Sequence, residues 1–344
     1  MENMHAHDRT DGVADAAQTA DSSAEKRHSP APRPSVDPLL RVPGVGVRAA
    51  AIAALIANVV IIATGGLVRL TGSGLGCDTW PKCTPDAFTT TPEQGIHGLI
   101  EFGNRTLSGV MLIIALWGLI AVYRGARRRR DLITLAWVQA AGIIVQAVVG
   151  GMVVLFHLTW NLVGFHYLLS IVLVAFMAVF AIRAHAPGGP RARAVRLPTL
   201  ILTHVMTLVL AVTVVVGVFA TGSGPHSGDP SEVVRTGFDA EFVYHVHAWS
   251  GYVLFALTLV VVVLSLREHV GFRKWAVALV CVQIVQIVVG ISQARLHLPG
   301  SLVLVHMVLA AVLTAAAVAT VLALKRPTAE LDGTAAGRPA GATA

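Results

Sequence analysis

The sequence predicts an all-α polytopic membrane protein. Eight transmembrane helices are expected, as two parallel four-helix-bundle repeats related by a pseudo-twofold axis along the membrane normal. Three observations carry this expectation: scarce charge, apolar runs long enough to cross a bilayer, and residues that recur at one fixed spacing. Only 13% of the 344 residues are charged and 55% are hydrophobic; a soluble domain carries roughly a quarter charged residues. Mean hydropathy is +0.70. The apolar runs approach the roughly 20 residues that a helix needs to cross a hydrocarbon core about 30 Å thick. Lipid cannot satisfy exposed backbone polar groups, so these runs must be helices.

Four predicted spans run near Ala49–Val68, Ile96–Tyr123, Leu132–Leu155 and Leu162–Ala184. The other four run near Leu200–Ala220, Phe242–Leu266, Trp275–Gln293 and Ser301–Leu324. The connections between them alternate in positive charge. One side holds Arg124, Arg127 to Arg130, Arg183, Arg191, Arg193, Arg196, Arg267, Arg273, Lys274, Lys325 and Arg326. The other side has only scattered cations such as Arg69, Lys82, Arg235 and Arg295. The positive-inside rule then puts both termini in the cytoplasm of a plasma-membrane protein. Residues 1–45 and 327–344 lack an apolar period and read as disordered cytoplasmic tails. The net charge of +7 lies in short loops without a basic face or an aromatic platform, which points away from nucleic acid.

Internal similarity divides the remainder into repeats over 46–185 and 186–326. Thr71-Gly-Ser-Gly74 recurs as Thr221-Gly-Ser-Gly224, and both are expected to form tight turns at the outer surface. Gln146 and Gln286, Gly150 and Gly290, His157 and His297, and His166 and His306 each differ by 140 positions. Four spans return the chain to its starting side, so the repeats are expected to be parallel.

Of three cysteines, Cys77 and Cys83 share the first outward loop and Cys281 lies within the seventh span, as a small packing residue. An oxidising compartment permits a Cys77–Cys83 disulfide. The alternatives are free or redox-active thiols, or part of a metal site whose other ligands come from elsewhere.

Ionisable residues inside a span are rare, because a central one costs about 2.5–3.5 kcal/mol on insertion scales. Here they are His97, Glu101, Arg105, His166, His204, His245, His247 and His306. All but His204 lie toward the outward ends. His247 and His306 come from different helices, an arrangement that presents two axial imidazoles to an iron porphyrin. The alternative is interfacial histidines bonded to carbonyls or water. Glu101 is a candidate proton donor or acceptor, or else the partner of Arg105 four residues on. Arg105 is also a candidate for a heme propionate.

The motifs GGLVRLTGSGLGCDTWPKC, IEFGNR, GFHYLLS, TGSGPHSGD, VHAWSG and LVHMVLA, spread over about residues 50–325, resemble the heme A synthase family. The resemblance implies oxidation of a methyl group of heme O to the formyl group of heme A, for terminal oxidases. It implies heme b as cofactor with His247 and His306 as axial ligands. His166 would then serve the substrate heme in the N-terminal half, with Glu101 catalytic. Heme O synthase and an electron-transfer protein are the partners it suggests, beside membrane lipid and a second copy of the chain. Where many members have histidine, this chain has Asn104, which leaves His166 as the only matched iron ligand there; His97 is a candidate to compensate. The rival reading is a membrane cytochrome b that only transfers electrons.

Overall fold

The computed structural model describes residues 41–225 and 236–328. The tail segments 1–40 and 329–344 and the Pro225–Gly228 region beyond Pro225 lie outside the described residues. Eight α-helices occur among the described residues: α1 Val45–Leu70, α2 Gly95–Gly125, α3 Arg130–Leu155, α4 Trp160–Ala184, α5 Leu197–Ser223, α6 Ala240–Ser265, α7 Val270–Arg295 and α8 Gly300–Leu322. All eight are long and apolar enough to cross a membrane. Outward faces agree: Ile113, Leu208 and Val263 are 66%, 65% and 63% exposed, which suits lipid rather than water.

Two helices, α6 and α7, start before their apolar runs because polar side chains cap them. Asp239 accepts from the Phe242 backbone N–H at 2.7 Å and starts α6. His269 caps α7 by accepting from the Phe272 N–H at 3.2 Å, so the helix starts at Val270, five residues before Trp275. Its Nε2 also meets the Ala323 carbonyl at 3.0 Å. A short antiparallel ribbon that the sequence did not predict pairs β1 (Arg191–Arg193) with β2 (Lys325–Pro327).

The two TGSG segments differ, which corrects the expectation of two equal turns. After α1, Gly72 takes φ +66°, and Ser73 N–H reaches back to the Val68 carbonyl at 2.8 Å. This six-to-one closure is the Schellman stop that glycine permits. In the second copy α5 continues through Ser223. There Gly222 packs against Trp160 and Thr236, and the Ser223 hydroxyl bonds that of Thr236, so the helix is held into its last turn. The α3–α4 and α7–α8 turns, by contrast, match closely. His157 and Leu158 have φ of +49° and +56°, His297 and Leu298 of +61° and +59°. Leu158 N–H bonds Val153 O, and Leu298 N–H bonds Gln293 O, both at 2.8 Å.

Among the first four helices, α1 and α3 each pack on both α2 and α4; among the last four, α6 packs on α5 and α7, and α8 on α7 and α5. Helices α1 and α4 also touch α8, and α4 touches α5. Ala50, Ala51, Ala54 and Ala57 are buried on α1; small residues of this kind let membrane helices approach closely. Apolar clusters fill each set of four, and a third, with Ile62, Ile171, Val174 and Ala311, joins them.

One cation of the Arg127–Arg130 run has a structural task. Arg129 is 4% exposed; it chelates Asp131 at 2.9 Å through Nε and Nη2 and donates to the Arg183 and Ala186 carbonyls at 3.1 Å. Arg129→Met strands those acceptors and is expected to lower stability by about 1–3 kcal/mol. Thermal unfolding in detergent checks this, with Arg127→Met as the neutral comparison.

Candidate functional site

Three groups of polar side chains gather toward the ends of the helices that lack the arginine-rich loops. The first surrounds a cavity of about 130 Å³ that opens to the surface. Its wall includes Asn58, Gly65 and Arg69 of α1, Asn104 of α2, Gln146 of α3, His166 and Tyr167 of α4, and Met307 of α8. Apolar side chains, among them Ile62, Met111 and Leu173, form the remainder of the lining. Such a mainly apolar concavity with a few convergent polar groups is the usual form of a small-molecule site.

The His166 ring is seated by its neighbours. A Cβ on Gly150 would stand 3.3 Å from its Cε1. Gln146 Nε2 donates to the His166 carbonyl at 3.2 Å and to the Ser170 hydroxyl at 2.7 Å. Asn104 faces the same cavity with its Oδ1 accepting from the Thr64 hydroxyl at 2.7 Å.

The second group is the pair His247 and His306, with ring centroids 6.1 Å apart and planes at 74°. His306 repeats the His166 setting: a Cβ on Gly290 would come within 3.1 Å of its Cε1, and Gln286 donates to its carbonyl at 3.1 Å. A Cβ on Gly217 would come within 2.9 Å of His247 Cε1. The recurrence at 140 positions thus has a physical content: a glycine for the ring and a glutamine for the ring's backbone. His247 Nδ1–H donates to the Thr213 carbonyl at 3.2 Å, which leaves Nε2 with its lone pair free for a metal. The Nδ1 atoms of His166 and His306 are buried and have no hydrogen-bond partner among the described residues. A buried nitrogen of this kind takes its partner from a water, an ion or a ligand.

The third group is the Cys77–Cys83 disulfide loop, so the cysteine pair is oxidised. Glu101, 4% exposed, accepts from the Cys77 N–H through Oε2 at 2.8 Å, and its Oε1 is bound by Arg105. Arg105 donates further to the carbonyls of Thr79, Lys82 and Cys77 at 2.8, 3.0 and 3.0 Å. This i, i+4 pair therefore staples the loop onto α2. His97 belongs here too: its Nδ1 meets the Ser73 hydroxyl at 2.9 Å, and it lines a small surface pocket with Gly76, Asp78 and Gln94.

The structure therefore brings His166 and Asn104 to one cavity and His247 with His306 to one point. It sets Glu101 and Arg105 against the disulfide loop and His97 against Ser73. Sequence reasoning passed over Arg69, whose cavity-facing place depends on where α1 ends, and Gly217, whose partner is on another helix. The fixed offset did flag Gly150, Gly290 and the two glutamines, without disclosing their tasks. Cys281 is exposed on α7.

Fold and site together define an all-helical, multi-pass membrane protein that presents histidines from its helices to internal sites. Residues 48–318 match the COX15-CtaA family, described as cytochrome oxidase assembly protein, and the chain belongs to that family. It is similar to the heme A synthase of Staphylococcus saprophyticus, 29% identical over 160 residues, which are 44% of this chain and 51% of that protein. It is also similar to the heme A synthases of Alkalihalophilus pseudofirmus, 28% identical over 134 residues (38% and 43%), and Staphylococcus haemolyticus, 31% over 119 (34% and 38%). The chain spans about half or less of the length of these curated relatives.

Proposed function

We propose that this protein is a heme A synthase, oxidising a methyl group of heme O to the formyl group of heme A for terminal oxidase assembly. The observation that carries the proposal is the His166 cavity, in a chain whose relatives bear that name. The reading includes two parallel four-helix repeats about a pseudo-twofold axis, with both termini cytoplasmic in the plasma membrane. It takes the repeat of the His–Gly–Gln setting at equal spacing as its support.

The resident cofactor is heme b, and the C-terminal pair fits it. Imidazoles that share one metal at bond lengths of about 2.0–2.1 Å have centroids roughly 6 Å apart, the separation found between His247 and His306. When bound, that heme would supply one-electron redox chemistry. His247, fixed by the Thr213 carbonyl, and His306, fixed by Gly290 and Gln286, would hold it.

In the N-terminal half, His166 orients substrate heme O and Asn104 faces it from α2. Asn is a poor iron ligand, so His166 would be the residue there to hold the substrate's iron, a single hold that suits a substrate that must enter and leave. Conversion of methyl to formyl, with water supplying the oxygen, releases four protons and passes four electrons to an external acceptor. The apolar wall of Ile62, Met111 and Leu173 excludes bulk water from that methyl. Glu101 serves as a positioning residue, holding the Cys77–Cys83 loop over this end of the bundle. Heme O synthase and an electron acceptor are the proposed partners. The Asn104 departure also suits a cytochrome b that needs one complete axial pair only, so the test must separate the two.

A host that makes heme O but no heme A would express the intact chain or His166→Ala, followed by heme extraction and mass analysis. Heme A is expected only with the intact chain. If the purified intact protein carries heme b yet no heme A forms, the cytochrome reading replaces the synthase.

A further inference from the structure

We propose that Arg69 binds a carboxylate of the porphyrin that occupies the His166 cavity, fixing which edge of the macrocycle faces the outer surface. The inference rests on the porphyrin reading of that cavity and extends it to a residue with no assigned role.

Arg69 lies in the last turn of α1 and lines the cavity together with Asn104 and His166. Histidine apart, it is the one ionisable side chain with a charge on that wall among the described residues. Its Nε is out of solvent contact and has no hydrogen-bond partner among the described residues. The ion pairs of the described residues do not include it. A guanidinium in a mainly apolar wall is costly unless an anion pairs with it, and no carboxylate lines that wall among the described residues. Arg105, the other candidate for a propionate, is committed to Glu101 and to three loop carbonyls.

The matching position before the second TGSG segment carries no arginine. Arg69 stands two residues before Thr71-Gly-Ser-Gly74, and Phe219 stands two before Thr221-Gly-Ser-Gly224. Phe219 packs between Trp160 and Phe238, with centroids 5.5 and 6.2 Å away. The position two residues before the motif is therefore apolar where it meets aromatic rings and cationic where it meets the cavity. A planar fork of N–H donors matches a carboxylate in two-point contact. From Arg69 the wall runs inward past Gly65 and Gly66 to Ile62 and Asn58 along α1. A porphyrin held there would keep its acidic edge near water and its apolar ring deeper.

Purified full-length protein in detergent would be titrated with hemin and with hemin dimethyl ester, which lacks the free carboxylates. Intact protein, Arg69→Gln, Arg69→Lys and His166→Ala would be compared, with the spectrum of the His247–His306 site reporting the fold of each. The His166-dependent binding of hemin is expected to weaken about tenfold or more in Arg69→Gln, the size of one charge-assisted hydrogen bond, and less in Arg69→Lys. Binding of the ester should be equal in all three Arg69 forms. Equal weakening of both porphyrins, or of neither, overturns the proposal. It is likewise overturned if Arg69→Gln leaves both titrations unchanged but strips co-purified anionic lipid, since the anion would then be a lipid phosphate. If neither porphyrin binds in a His166-dependent way, the porphyrin reading of the cavity itself is refuted, a result distinct from indifference to Arg69.

Discussion

Glu101→Ala is expected to abolish heme A formation and to leave the Cys77–Cys83 disulfide open to reductant. The carboxylate accepts from the Cys77 N–H at 2.8 Å and neutralises Arg105. Arg105 holds three loop carbonyls within 3.0 Å. Truncation leaves a cation and a backbone donor without their shared acceptor. The loss is expected near 3 kcal/mol, the low end for breaking a buried ion pair, because Arg105 keeps its carbonyl acceptors. Rates of thiol labelling under mild reductant would measure the loosening. Glu101→Gln separates two roles for this residue. Its amide oxygen still accepts from Cys77 N–H, while its NH2 meets the donors of Arg105 in place of the carboxylate, so a positioning role recovers part of the activity and of the disulfide protection. A proton-transfer role leaves Glu101→Gln as inactive as Glu101→Ala while the disulfide stays protected, and that pattern would sink the positioning assignment.

His306→Ala is expected to yield protein with at least about tenfold less bound heme b per chain. Outer-sphere changes alone lower metal affinity about 10–100-fold, and a lost ligand does no less. The remaining His247 stays oriented by Thr213, so any residual heme should change from a six-coordinate to a five-coordinate spectrum. Gly290→Leu tests the same site without removing the ligand, because its Cβ would lie 3.1 Å from His306 Cε1 and push the ring from its seat. Gly150→Leu, 3.3 Å from His166 Cε1, should spare this spectrum. A His306→Ala protein with full heme content and an unchanged spectrum would remove the axial assignment.

Much of the helical framework was legible in the chain, because bilayer thickness and backbone satisfaction leave a long apolar run one option. Helix ends were less so. The starts of α6 and α7 are set by Asp239 and His269, whose capping value depends on local dihedrals rather than on hydropathy. The two TGSG segments share a sequence and differ in structure, since Gly222 is packed by Trp160 and Thr236 from outside its own helix. The candidate site was half legible. His166, His247 and His306 stand out because a polar residue in a span needs a reason. Arg69 does not stand out, because a cation at a helix end is ordinary.

Composition, run length and spacing, all properties of the linear chain, fix the membrane-spanning class, the number and order of the helices, and the histidines that a site would draw on. How those residues are shared out follows from the packing of the helices. It set Glu101 and Arg105 against the disulfide loop and His97 against Ser73, while Asn104 faces His166 across a cavity and His247 meets His306. On a helix, residues three or four apart share a face, but which neighbour that face meets depends on packing between helices. That packing rests on small differences in side-chain fit, such as a glycine opposite each imidazole, and these are contacts between segments far apart in the chain.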